Sequence, residues 1–195
     1  ANPNNPTGAR FAAETLLRWH AQLAANGGWL VVDEAFMDAT PAESIAAFSA
    51  RPGLVVLRSL GKFFGLAGAR VGFVLAEAEL LQRLDEQLGP WTVCGPAREV
   101  ARLALLDHVW QAQIRARLIH DAQRLHELLS ACDLPPAGGT ELFQWVPTPQ
   151  AATIHERLAR HGILTRLFAE PPGLRFGLPG SEDGWARLAT ALSGL

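Results

Sequence analysis

The chain has 195 residues, enough for one sizeable domain or a domain and a half. Half of its residues are apolar (49%), yet no apolar run approaches the roughly 18 residues of a membrane span, which predicts a soluble chain. A net charge of −2 without any basic block argues against a nucleic-acid surface.

The segment Asn4-Asn5-Pro6-Thr7-Gly8 reads as a turn, because Pro restricts φ and Asn and Gly tolerate unusual backbone angles. The chain opens without an initiator Met or a signal peptide, so it is expected to be the C-terminal part of a longer protein. Residues 15–25 show helical spacing of Leu16, Leu17, Trp19 and Leu23 and end at Asn26-Gly27-Gly28. Three apolar strands follow, at 29–32, 54–58 and 71–75, with Asp33 at the end of the first. Continuous apolar strands with helical connections predict a mostly parallel sheet covered on both faces. A short helix is expected over 77–87 and a long one from Pro96 to about Ala131, where Pro suits the first turn. Pro135, Pro136, Gly138 and Gly139 break that pattern and mark the entry to a smaller α/β domain. Strands at 143–146, 163–167 and 174–178, a helix at 151–161 and a closing helix over 181–195 with Ser181 as N-cap complete it. The expected division is 1–100 for part of a large domain, 101–133 for a bridging helix and 134–195 for a small domain.

Functional groups of such a sheet belong at the strand ends. Lys62 is the only lysine in the chain and follows the second strand, in a loop rich in small residues. Ser59 stands three residues before it and Arg70 eight after. A lysine amine in such surroundings suits Schiff-base chemistry, and a hydroxyl with a guanidinium suits a phosphate dianion. Asp33 alone reads as a turn or helix cap; the plain alternatives elsewhere are a turn residue for Asn5, a surface salt bridge for Arg70, an edge-strand surface arginine for Arg175 and a surface position for Arg166. Glu34 and Asp38 are assigned to local structure. The six histidines are scattered without ligand spacing, so no metal is expected. Cys94 and Cys132 are too few for a disulfide framework, which predicts a reducing, cytoplasmic setting. The six tryptophans are assigned to core or interface, with Trp91 a candidate for the mouth of a site or a subunit contact.

Taken together, Asn5-Pro6-Thr7-Gly8, Asp33-Glu34-Ala35-Phe36 and Ser59-Leu60-Gly61-Lys62 through Arg70 resemble the fold-type I aminotransferase superfamily in order and spacing. The chain is most similar to its histidinol-phosphate aminotransferase-like branch. Within that branch, residues 32–38, 61–68 and 174–179 resemble the threonine-phosphate decarboxylases of cobalamin biosynthesis. The resemblance covers nearly the whole chain. It implies an α/β fold, the C-terminal part of a transferase-like architecture, and pyridoxal 5'-phosphate as cofactor. By the same resemblance Lys62 carries the cofactor and moves protons, and Asp33 pairs with the pyridine nitrogen. Asn5 bonds the phenolic oxygen, and Ser59 and Arg70 hold the phosphate. Arg175 then grips the substrate carboxylate and Arg166 faces a substrate phosphate.

Two positions depart from the pattern. Phe36 stands where many relatives carry a tyrosine, and Gly61 where many carry a hydroxyl residue. The implied reaction is decarboxylation of L-threonine O-3-phosphate to (R)-1-amino-2-propanol O-2-phosphate by a homodimer acting on a small amino-acid phosphate, with no nucleic acid, membrane or metal involved. A histidinol-phosphate-type aminotransferase is an alternative. So is a non-catalytic fragment or binding module, because the family's N-terminal half supplies a glycine-rich phosphate turn and a ring-stacking aromatic.

Overall fold

The computed structural model describes residues 1–195, which form two units: Ala1–Pro3 with Arg10–Arg115, and Asn4–Ala9 with Ala116–Leu195. The first unit contains helix α1 (Ala13–Ala24) and strands β1 (Leu30–Asp33), β2 (Leu54–Ser59) and β3 (Gly72–Leu75). Helices α2 (Ala78–Leu88) and α3 (Gly95–Leu106) and the first residues of α4 (His108–Ala131) follow. The sheet order is β1-β2-β3, so β1 and β3 are both edges. Leu30 and Val32 pair in register with Leu54 and Val56 on one face. That face closes over Leu16 of α1 and Ile45 from the following loop. Burying each such aliphatic side chain stabilises by about 1.5–3 kcal/mol.

Two expectations about this sheet are corrected. Parallel pairing is confined to β1 and β2, while β3 runs antiparallel to β2. The β2–β3 connection holds a single short 3-10 turn, Ala67–Ala69, and no crossover helix, so the chain returns in the opposite direction. The β1–β2 connection likewise uses three 3-10 turns rather than an α-helix. The second correction concerns coverage: on the other face Val31 is 53% exposed and Val74 39%. Coverage of that face is uneven within this chain, since Val55 of β2 is buried while its register partner Val31 is not.

The expected long helix from Pro96 onward is two helices. Asp107 separates them with ψ near 73°, outside the helical region. Its Oδ1 accepts the backbone N–H of Trp110 at 2.9 Å, the local bond that lets Asp start a helix. Gln111 Nε2 donates to the carbonyls of Ala104 and Leu105, both at 3.0 Å, and so satisfies the end of α3.

The second unit holds most of α4, strands β4 (Gly138–Thr140), β5 (Phe143–Pro147), β6 (Arg166–Phe168) and β7 (Gly173–Gly177), and helices α5 (Ala151–Arg160) and α6 (Glu182–Ser193). Its sheet is antiparallel throughout, in the order β4-β5-β7-β6. Alternation sends Val146, Leu174 and Phe176 to one face, against Leu125, Leu129, Leu158 and Trp185 of the helices. The other face carries Phe143, Trp145 and Arg175. Strand β4 was not foreseen, and β6 begins three residues later than the apolar run at Ile163 suggested. Ser181 Oγ accepts the N–H of Gly184 at 3.2 Å, so the expected N-cap of α6 is present.

Candidate active site

In the first unit, β1 and β2 run parallel and deliver their C-terminal ends side by side, with Asp33 opposite Leu57. The Asp33 carboxylate is exposed and oriented by one local bond, its Oδ1 accepting the N–H of Ala35 at 2.9 Å. Ser59 ends β2. Its Oγ accepts the N–H of Gly61 at 3.1 Å, which leaves the hydroxyl proton free to donate. Lys62 comes next and is exposed, but the residues after it are not: Phe63 and Phe64 are buried and meet edge to face at 5.0 Å. Trp110 contacts both rings, at 5.6 and 5.9 Å. The loop is therefore anchored by its aromatic pair while the amine projects. The Lys62 Nζ lies 5.4 Å from the centre of the Phe36 ring, the position lacking a hydroxyl.

Ser59, Gly61, Lys62, Ala67 and Arg70 line a cavity of about 280 Å³. Arg70 adopts a left-handed backbone with φ of 54°, and its Nη1 donates to the carbonyl of Ala67 at 3.1 Å. Such a conformation costs a non-glycine residue roughly 1–2 kcal/mol, and strain of this kind clusters at functional sites. A Cβ added at Gly61 would meet Ala67 Cα and Ser59 Oγ at 3.4 Å, so the cradle has room where a hydroxyl residue is lacking. One hydroxyl donor, one guanidinium and one amine around an open cavity fit the phosphate and aldehyde ends of pyridoxal phosphate.

The second unit gathers the other three sequence-derived residues. The loop Asn4–Ala9 is closed by Asn4 Oδ1, which accepts the Thr7 hydroxyl at 2.7 Å. Gly8, with φ of 73°, lies so close to Gly139 that a Cβ would overlap its carbonyl. Asn5 projects from this loop, and its Oδ1 accepts a bond from Arg175 Nη1 at 2.6 Å. Arg175 also rests 5.1 Å from the Phe143 ring, and Arg166 sits 5.6 Å from Phe168. Arg166 and Arg175 are register partners and so share a sheet face. Burial lowers the pKa of the Arg175 guanidinium from its ordinary value, and the charge of Arg166 lowers it further. Two like charges opposite one another are unfavourable until an anion lies between them. Asp33, Ser59, Lys62 and Arg70 thus belong to one unit, and Asn5, Arg166 and Arg175 to the other.

A family model for class I and II aminotransferases matches residues 1–192. The chain belongs to that family. It is 61% identical over 193 residues to a threonine-phosphate decarboxylase of Pseudomonas aeruginosa, covering 99% of this chain and 58% of that protein. Identity is 45% to a threonine-phosphate decarboxylase of a Sinorhizobium species, over 98% of this chain and again 58% of the relative. Among solved structures, histidinol-phosphate aminotransferase from Sinorhizobium meliloti in complex with pyridoxal-5'-phosphate superposes with a TM-score of 0.88. It is 25% identical, over 99% of this chain and 55% of its own length. The chain therefore spans 58% of the length of both curated relatives.

Sequence reasoning passed over Arg58, Trp110 and Arg115. The available signal for Arg58 was a lone charge at the end of an otherwise apolar strand. Trp110 and Arg115 gave none, since their contacts cross from α4 to loops more than 40 residues away in the sequence.

Proposed function

We propose that this chain carries the lysine-bearing part of a pyridoxal 5'-phosphate-dependent decarboxylase. Its substrate is L-threonine O-3-phosphate and its products are carbon dioxide and (R)-1-amino-2-propanol O-2-phosphate, a step of cobalamin biosynthesis. The observation that carries the reading is Lys62, the sole lysine, beside the cavity formed with Ser59 and Arg70. The choice of substrate rests on the likeness to threonine-phosphate decarboxylases.

Lys62 would hold the cofactor through its amine, and Ser59 and Arg70 would hold its phosphate. Asp33, exposed at the end of β1, would pair with the ring nitrogen and keep a proton there, since an adjacent carboxylate favours the charged ring. The family resemblance assigns the Asn5 amide to the ring oxygen, and its Oδ1 is engaged by Arg175. When bound, the cofactor supplies an electron sink for the Cα bond that breaks. Once released, the Lys62 side chain in its ammonium form would supply the proton that takes the place of carbon dioxide at Cα. Arg166 and Arg175 receive the two anionic groups of the substrate, phosphate and carboxylate, and their shared sheet face suits a doubly anionic ligand.

A second reading is a histidinol-phosphate-type aminotransferase. Arg175 favours it: the bond to Asn5 fixes the guanidinium, and a carboxylate held rigidly there tends to be kept. Trapping carbon dioxide from threonine phosphate separates the two, with amino transfer to a keto acid and no carbon dioxide as the outcome that overturns the decarboxylase. The same reading implies a cytoplasmic homodimer. Cys94 and Cys132 are both free. Trp91 is 90% exposed, and Leu103 and Leu106 of α3 are exposed near it in sequence, as expected of residues awaiting a partner.

A further inference from the structure

Each of three site residues has a direct neighbour in sequence that points the other way and is tied down. Glu34 follows Asp33 and is fully buried. Its Oε1 accepts the N–H of Ile45 at 2.9 Å, and its Oε2 accepts Ser44 Oγ at 2.5 Å and Arg58 Nη1 at 3.0 Å. Arg58 precedes Ser59. It donates through Nη1 to Ser44 Oγ at 3.1 Å and through Nη2 to the Asp38 carboxylate. Phe63 follows Lys62, and the Arg115 guanidinium lies 5.0 Å from its ring. Arg115 Nε donates to the carbonyl of Asp38 at 2.9 Å, and its Nη2 to Gln111 Oε1 at 3.3 Å. Two carboxylates and two guanidiniums thus link the ends of β1 and β2, the loop between them, the Lys62 loop and α4.

Burying an ion network of this kind is weak evidence for stability, since well-packed apolar residues often serve equally well. Geometry is what it supplies. The Arg58 fork bonds both carboxylates at once, and a lysine ammonium has no such planar fork. Strand alternation then transmits the position: fixing Glu34 and Arg58 on one side fixes Asp33 and Ser59 on the other.

We propose that Glu34, Arg58 and Asp38, braced by Arg115, are positioning residues that set the spacing of the Asp33 carboxylate, the Ser59 hydroxyl and the Lys62 amine. The inference rests on the pyridoxal phosphate reading of the site. Glu34→Gln and Arg58→Lys in the whole protein test it. The second variant keeps the charge and loses the double contact. Four readouts are compared with wild type: thermal unfolding, pyridoxal phosphate affinity by tryptophan quenching, absorbance of the lysine-bound cofactor against pH, and kcat and KM at full cofactor occupancy.

Positioning predicts folded variants with kcat lower by about 10- to 100-fold, the scale of a misplacement near 1 Å. KM stays within about threefold, and the absorbance titration of the lysine-bound cofactor shifts. Should Glu34→Gln not fold, Arg58→Lys decides. Variants that lose only thermal stability, with wild-type kcat and spectrum, overturn the proposal. Loss of folding in both also overturns it, since the network would then serve the fold itself. Wild-type protein that takes up no cofactor at Lys62 overturns the functional reading. A loaded wild type with unaffected variants overturns this inference alone.

Discussion

A residue's chemistry is set by what it is denied as much as by what it touches. Lys62 is exposed while Phe63 and Phe64 are buried, so the loop spends its apolar surface on anchorage and leaves the amine free. Lys62→Ala is expected to abolish covalent retention of pyridoxal phosphate in the whole protein and to lower turnover by at least about 10²–10⁴-fold, the range for a positioned acid–base group. Borohydride reduction and peptide mapping check the attachment, and a pyridoxyl adduct on any other lysine refutes the assignment. Asp33 has one oxygen engaged by Ala35 and is solvent-exposed, so an amide fits in its place. Asp33→Asn should retain cofactor and raise the barrier by about 3–4 kcal/mol, the size of a lost preorganised electrostatic partner. Near-normal kcat at saturating cofactor would remove Asp33 from the mechanism. Both positions stood out in the sequence as candidates, because strand ends are where an α/β sheet presents its chemistry. Arg58 did not, because its role depends on partners 14 to 24 residues away.

At the scale of elements, the antiparallel sheet of the second unit depends on close packing at glycine. Trp145 lies across Gly173, where a Cβ would overlap its ring, and meets Phe168 edge to face at 5.3 Å. Gly173→Ala is expected to displace Trp145 and cost about 1–3 kcal/mol, the usual range for overpacking. Chemical denaturation measures the loss, and near-UV circular dichroism should report the moved indole. An unchanged midpoint would mean that the strands yield more easily than their register implies. The helices themselves were largely readable, since apolar spacing and caps are local signals. The break at Asp107 was not, because the apolar pattern continues across it and only the side-chain bonds of Asp107 and Gln111 end one helix and begin the next.

For the molecule as a whole, the first sheet has β1 and β3 as open edges and an apolar face bearing exposed Val31 and Val74. Open edges and apolar faces invite pairing with further chain. The 195-residue chain by itself is therefore expected to bind pyridoxal phosphate weakly, to associate in solution and to release little or no carbon dioxide from threonine phosphate. The comparison is with a protein of the relatives' full length at matched cofactor saturation. Equal activity of the two would show that these residues suffice for the reaction. Light scattering gives an independent check on association.

The sequence by itself determined the family, the candidate residues and most of the elements. A single lysine, an aspartate at a strand end and a serine–arginine pair at short spacing are local patterns, and local patterns survive without three-dimensional information. Tertiary structure alone decided that β3 turns antiparallel, that Val31 and Val74 stay exposed, that Arg166 and Arg175 stand opposite each other, and that Arg175 reaches Asn5. Each of these is a pairing between segments distant in sequence. Strand direction depends on the path of the connecting loop, and like charges are brought face to face only when register is set by the rest of the sheet. No local propensity encodes either.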